Sequence, residues 1–290
     1  MTSVEISDDE KMFVLHGVQE DVRVDGRSRM GMRPLKFETE LVTHANGSAH
    51  LRLANTDVLV GVKAELDLDG IHQDDKCPME FFVDCSANAT PDFEGRGGES
   101  LAIELSRILA KAYSDKNVFN YDVLKIDNSF SWLLYVDVLI LEVGGNLYDA
   151  VSMAVKAALH STIIPKVTIA TVDGGKPELE ITDDPKDGLR LQVLNSPILI
   201  TLSRIGHFCV LDPSPEEEAC SSSSLVIGVT PSGRVTTVKK CGPGAFNMDS
   251  LCKAMQDGIE TGIKIQQVLM DKILSEEKMS NKKAIGFLNK

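Results

Sequence analysis

Trp132-Leu-Leu-Tyr-Val-Asp-Val-Leu-Ile-Leu-Glu-Val-Gly144-Gly145-Asn146-Leu147-Tyr148-Asp149-Ala150 places a strand, a double-glycine turn and a helix in direct succession. The strand carries apolar residues on both of its alternating faces, which predicts burial on both sides of a sheet. The helix presents Ala150, Val151, Ala154, Val155, Ala157 and Ala158, small side chains that let neighbouring elements come close. A helix N-terminus exposes unpaired N–H groups and the positive end of the macrodipole, so Gly144-Gly145 feeding one has the form of a phosphate cradle. A working cradle adds side-chain donors. Here the next positions are Asn146, suited to capping its own helix, and Leu147, which donates nothing. The Asn146-x-x-Asp149 spacing resembles a capping box, and a well-capped buried helix is the expected structure.

A chain of 290 residues with 43% apolar and 25% charged side chains has ordinary globular composition, and two linked α/β units are expected. No apolar run reaches about 18 residues without a charge or glycine. The start, Met1-Thr-Ser-Val-Glu-Ile-Ser-Asp-Asp-Glu10, is acidic where a signal peptide is basic and then apolar, so neither a membrane span nor secretion is expected. The six cysteines include no C-x-x-C pair and the six histidines are scattered, which disfavours zinc and a disulfide framework and predicts reduced thiols. A net charge of −13 opposes free-standing nucleic-acid binding, which draws its affinity from Lys and Arg. The charge is uneven: Arg23, Arg27, Arg29, Arg33 and Lys36 oppose only Asp21 and Asp25, whereas acid collects in runs such as Glu216-Glu-Glu218.

Residues 1–20 are read as an N-terminal helix from about Ser7, with Phe13, Val14 and Val18 on its apolar side. Residues 21–165 form a first domain. Its strands, among them Thr56–Val62 and Met79–Cys85, are expected to make an antiparallel meander, with a hairpin tip at Ala45-Asn46-Gly47-Ser48. A helix with Leu101, Leu105, Ile108, Leu109 and Ala112 on one stripe should pack on that sheet. Asp84 and Asp137 lie within apolar strands and read as buried carboxylates bonded to nearby loops, in preference to a paired acid and base. Residues 166–194 read as a connecting loop or hairpin. Residues 195–274 form a second β-rich domain closed by a helix, in which Gly258 and Gly262 imply close approach of another element. Residues 275–290, with four lysines among the last thirteen positions, are expected to fray.

Arg23-Val-Asp-Gly-Arg27, Gly47-Ser-Ala49, Asn55-Thr-Asp57, Phe82-Val-Asp-Cys-Ser86, Pro91-Asp-Phe-Glu-Gly-Arg-Gly-Gly98, Tyr135-Val-Asp-Val138, Gly144-Gly-Asn-Leu-Tyr-Asp-Ala150 and Val210-Leu-Asp-Pro213 follow one another along the chain. Together they resemble the ribonuclease-PH-like proteins from about Glu20 to Gln267. Within that family they resemble the ring subunits of the eukaryotic RNA exosome, in the branch whose archaeal counterpart is the inactive partner of the phosphorolytic subunit. The resemblance implies an α/β (α+β) ribonuclease-PH-like fold and a place among related chains in a hexameric ring. It also implies cap subunits, an associated hydrolytic nuclease, RNA as the threaded substrate, no cofactor, and residence in nucleus, nucleolus and cytoplasm.

The same resemblance locates a site. Catalytic relatives bind phosphate with Thr-Arg or a run of serines directly after the double glycine, where this chain has Asn146 and Leu147. They grip RNA with adjacent arginines, which fall here at about Ser100 and Leu101. They carry two aspartates six residues apart that serve a metal ion and proton transfer, and Asp212 with Glu218 keeps that spacing and charge. Two carboxylates without cationic or hydroxyl donors repel phosphate. The expectation is therefore a non-catalytic ring subunit without a metal, with Gly144, Gly145, Asn146 and Leu147 as a degenerate phosphate loop and Asp212 and Glu218 as a remnant. Candidate RNA contacts are Arg96, in a loop that faces the channel in the family, and Arg23 and Arg27; Arg96 alternatively pairs with Glu94 or an interface carboxylate. The rivals are an active phosphate-dependent 3'-to-5' exoribonuclease using Asp212 and Glu218, and an RNA binder acting alone, which the charge disfavours.

Overall fold

The computed structural model describes residues 5–67, 77–116, 118–127, 130–170, 178–182 and 188–280. Helix α1 (Asp8–Gln19) starts at a capping box in which the Ser7 hydroxyl accepts from the Glu10 N–H and the Glu10 carboxylate accepts from the Ser7 N–H at 2.8 Å. Val14 and Val18 pack against Ile205 and Val210, whereas Phe13 falls at the rim of this narrow stripe and is 68% exposed, contrary to its expected burial.

The first sheet comprises β1 (Leu35–Thr39), β2 (Gly47–Leu53), β3 (Thr56–Asp67), β4 (Met79–Cys85) and β5 (Ser131–Glu142), in the order β1-β2-β3-β5-β4. The expected meander holds only for β1 to β3. Strand β4 lies at the edge and runs parallel to β5, because α2 (Glu99–Tyr113) intervenes and a helical crossover returns the chain in the same direction. Leu105, Ile108, Leu109 and Ala112 bury the inner stripe of α2 as their spacing predicts. Strand β5 departs from its reading. Its inward residues Trp132, Leu134, Val136, Val138 and Ile140 are buried, but the alternate set is not fully covered, and Asp137 and Leu141 are exposed. Asp84 is likewise exposed, so neither aspartate is the buried carboxylate expected.

After β5 comes α3 (Leu147–Ser161), the centre of the molecule. It packs on β2 and β3 from one side and on the second sheet from the other, and every residue of it except Tyr148 and His160 is buried. A helix apolar on all sides belongs in such a place. The first domain ends in β6 (Ile163–Pro165), and the region expected to be a loop or hairpin holds β7 (Val167–Ala170), β8 (Glu178–Ile181) and β9 (Gly188–Arg190), with β9 paired back to β6 and β7 paired with β8. Residues 171–177 and 183–187 lie outside the described residues.

The second sheet has the order β11-β10-β12-β13, built from β10 (Ile198–Ile205), β11 (Phe208–Leu211), β12 (Ser223–Val229) and β13 (Val235–Cys241). Between β11 and β12 the acidic run forms a short helix, α4 (Pro215–Cys220), with proline in its first turn and a capping box of Ser214 and Glu217. Helix α5 (Met248–Ser280) spans both units. Against the second sheet a Cβ at Gly258 would lie 2.7 Å from Ile227 Cδ1, and one at Gly262 would lie 3.1 Å from Val229 Cβ, the close approach those glycines imply. Against the first sheet, the Thr39 N–H donates to Glu276 at 2.9 Å. Residues 275–280, expected to fray, are therefore helical, and 281–290 lie outside the described residues. Among the described residues no helix is long and apolar enough to cross a membrane.

One lysine of α3 is enclosed with the core. Lys156 Nζ donates to the Ser196 carbonyl at 2.7 Å and to Gln266 Oε1 at 2.6 Å, tying α3 to the chain before β10 and to α5. Burial pushes its amine from 10.5 down to about 7. The unfolded chain holds this proton up to the ordinary value and the folded chain releases it near neutrality. The group's contribution to stability is thus present above pH 10.5 and lost as pH falls towards 7. Urea titrations of wild type and Lys156→Met should show wild type gaining relative to the variant from pH 7 to pH 10, and a constant difference would contradict this account.

Candidate functional site

The double glycine is locked from below. A Cβ on Gly144 would lie 2.6 Å from Asn55 Cβ, and Gly145, at φ +84°, sits where a Cβ would lie 2.8 Å from the Pro213 carbonyl. The Thr56 hydroxyl accepts from the Gly144 N–H at 3.2 Å and donates to the Gly145 carbonyl at 2.6 Å. The Arg33 guanidinium donates to both glycine carbonyls.

Asn146 does not cap its helix through its side chain. It adopts the left-handed conformation (φ 53°, ψ 54°), and its side-chain amide donates to Asp149 Oδ2 at 2.9 Å and Asp212 Oδ1 at 2.8 Å. The reason is local electrostatics: two buried carboxylates take both amide protons, and charge-assisted bonds exceed a neutral cap. The Asn146 backbone N–H points at an anion after all, but the anion is the chain's own, Glu218 Oε1 at 2.7 Å. Leu147 is buried beside it.

Asp212 is fully buried and also left-handed, at φ 48°. Its Oδ2 accepts from the Arg33 N–H at 2.8 Å, Arg33 Nε at 3.0 Å and Arg27 at 3.1 Å, and its Oδ1 accepts from Arg33 at 2.8 Å as well as from Asn146. Burial acts to raise its carboxyl, and the hydrogen bonds and charge of Arg33 prevail and hold it below the ordinary range. Burial pushes the half-buried Glu218 carboxyl up, and pushes Asp149, bonded by the Thr201 hydroxyl at 2.7 Å, to about 7. The structure thus brings Asp212 and Glu218 together around Asn146. The pair does not fit a divalent cation, because both Asp212 oxygens accept from Arg33 or Asn146 and Glu218 answers the helix terminus. Among the described residues no group of three His, Cys, Asp or Glu is placed to hold a metal.

A cavity of about 350 Å³ opens beside this cluster, between the two sheets' ends, with Leu101, Leu147, Tyr148, Glu218 and Lys239 in its wall. Ser100 and Leu101 line it where the family's arginine pair falls. Two lysines line the cavity: Lys239 pairs with Glu104, which also accepts from the Tyr148 hydroxyl, and Lys240 donates to the Gly242 carbonyl at 2.7 Å.

The four arginines of the basic strip are engaged within the chain. Arg23 is buried, pairs with Glu217 through Nε at 2.7 Å and through a second, shorter contact, and donates to the Leu211 and Asp212 carbonyls, each at 2.9 Å. Arg27 bonds Asp25 at 2.6 Å in addition to Asp212. Of the two arginines expected to contact RNA, Arg23 is thus enclosed by the chain and Arg27 is engaged by two carboxylates. Arg96 remains, with an 89% exposed side chain paired to Glu99 at 3.3 Å and not to Glu94. Sequence reasoning placed Arg33 in the strip without a role and missed the importance of Asp149 and Glu217. The Asn146-x-x-Asp149 spacing was the available signal for Asp149, and the proline and acids that start α4 were the signal for Glu217. Arg23→Ala, which strands Glu217 in the interior, should cost about 3–5 kcal/mol in denaturant unfolding, whereas Arg96→Ala should stay within about 0.5 kcal/mol.

Two family models cover most of the chain: the 3' exoribonuclease family, domain 1, matches residues 31–165 and domain 2 of the same family matches residues 195–261. A Dictyostelium discoideum protein named "Putative exosome complex exonuclease RRP42" is 34% identical, over 93% of this chain and 98% of its own. "Exosome complex component Rrp42" of Thermococcus kodakarensis is 32% identical over 89% of this chain and 93% of its own. A chain in the structure of an Archaeoglobus fulgidus exosome with RNA bound to the active site superposes with a TM-score of 0.75 at 24% identity, covering 90% of this chain and 97% of that one. With the two-sheet architecture, the central helix and the glycine turn in family order, the chain belongs to the ribonuclease-PH-like 3' exoribonuclease family.

Proposed function

We propose that this chain is a non-catalytic structural subunit of the RNA exosome ring, supporting 3'-to-5' RNA processing and decay. Its partners are other ribonuclease-PH-like subunits, cap subunits and an associated hydrolytic nuclease, with RNA as the threaded substrate in nucleus, nucleolus and cytoplasm. The relatives named as exosome components support the assembly. The observation that carries the non-catalytic reading is the Glu218 carboxylate on the Asn146 N–H. Phosphorolysis must hold inorganic phosphate in line with the scissile bond, and a carboxylate already in the helix-terminal anion position repels it. The missing donors at Asn146 and Leu147, and the apolar Leu101 where RNA would be gripped, point the same way.

An active phosphorolytic enzyme is the second reading, since one relative's name includes the word exonuclease. One assay separates the two. Purified chain with unstructured RNA, magnesium and phosphate should release no nucleoside diphosphate above background, and phosphate-dependent shortening would overturn the non-catalytic reading. Arg96, with its exposed side chain, is the RNA contact proposed for this chain. In the assembled ring, Arg96→Glu should leave assembly intact and lower the salt slope of RNA binding by roughly one phosphate contact. An unchanged slope would assign Arg96 to its pair with Glu99.

A further inference from the structure

The outer face of the first sheet is open, and its chemistry is specific. The ladders set three rows across β3, β5 and β4: Leu59, Leu139 and Asp84; Gly61, Asp137 and Phe82; Lys63, Tyr135 and Glu80. A groove of about 390 Å³ lies over the upper two rows. Gly61 is its floor, where an added Cβ would meet no heavy atom within 4 Å. Phe82 is 51% exposed, with its ring 6.0 Å from that of Tyr135. Val42, from the turn before β2, is exposed at the groove's side.

Two features say what covers this face. Strand β5 has the sequence of a strand buried on both sides, yet the outward set Leu133, Tyr135, Leu139 and Leu141 has no layer packed over it among the described residues. Asp84 and Asp137 flank the groove, exposed and without a hydrogen bond or close ion pair to any described residue; Lys63, in the next row, attracts Asp137 but is held by Glu65 at 2.6 Å. Nucleic acid would bring phosphates to these carboxylates, and of the three rows a second copy of the face would offer them only Lys63, already held by Glu65. An apolar groove flanked by two exposed acids, neither closely paired with a described residue, matches a protein segment carrying an apolar anchor next to a base.

We infer that this sheet face docks a protein partner whose apolar side chain seats over Gly61 between Phe82 and Leu139 and whose lysine or arginine pairs with Asp84 and Asp137. The inference deepens the ring-subunit reading, since the partner is sought among the co-assembling subunits. The test is hydroxyl-radical footprinting of the isolated chain and of the complex purified after co-expression with the ribonuclease-PH-like and cap subunits of the same source. Phe82 and Tyr135 should be labelled in the isolated chain and protected in the complex, and carbodiimide coupling should join Asp84 or Asp137 to a lysine of a partner chain. Gly61→Leu, and separately Asp84→Lys with Asp137→Lys, should weaken association by about tenfold or more without lowering the melting temperature of the isolated chain. A complex that forms while Phe82 stays labelled as in the free chain overturns the docking and leaves the ring reading standing. Protection already present in the isolated chain, or gained only on adding RNA, also overturns it. Co-purification with none of those subunits overturns the ring reading and the docking together.

Discussion

A helix buried on nearly all sides leaves the N–H groups at its start little water to bond, and at the start of α3 the N–H of Asn146 is answered from within the chain. The left-handed Asn146 gives its N–H to Glu218 and its amide to Asp149 and Asp212. Three acids therefore crowd one helix terminus. The positive end of the macrodipole favours them, but charges removed from water need more than a dipole. Arg33 and Arg27 supply it for Asp212, and Arg23 does the same for Glu217 one turn away. The segment from Asp21 to Arg33, which precedes the first sheet, thus becomes the clasp that holds β11 and α4 against the glycine turn.

On the proposed reading, this arrangement gives a fold built around an anion site a way to do without an external anion. Glu218 accepts the Asn146 N–H that an external anion would otherwise meet. Asp212, saturated by guanidinium and amide donors, is fixed as an anchor between the two sheets and has no coordination to offer. The neighbouring cavity offers phosphate little: its wall is largely apolar, and of its two lysines Lys239 is bound to Glu104 and Lys240 donates to the Gly242 carbonyl.

Much of this was legible in the chain. Periodicity located α2, α3 and β10 to β13, and the glycine pair marked the turn. Gly258 and Gly262 announced a close approach that Ile227 and Val229 provide. What was hidden depends on distant partners. Asn146 reads as a cap because Asp212 and Glu218 lie 66 and 72 positions away and cannot be seen from its neighbours. Arg23 reads as a surface cation because Glu217 is 194 positions away. Strand β5 reads as buried on both faces because a face that awaits a partner has the composition of one already covered. The parallel pairing of β4 followed from a helix the sequence did show, through a crossover rule that the strand pattern alone does not express.

The central claim is that the anion position at the start of α3 is filled by Glu218. The most direct measurement is the backbone amide signal of Asn146 during titration of the purified, isotope-labelled chain with inorganic phosphate. A self-filled terminus predicts a signal that stays in place through tens of millimolar phosphate while ionic strength is held constant; a saturable shift of Asn146, with Gly145 following, would contradict the account.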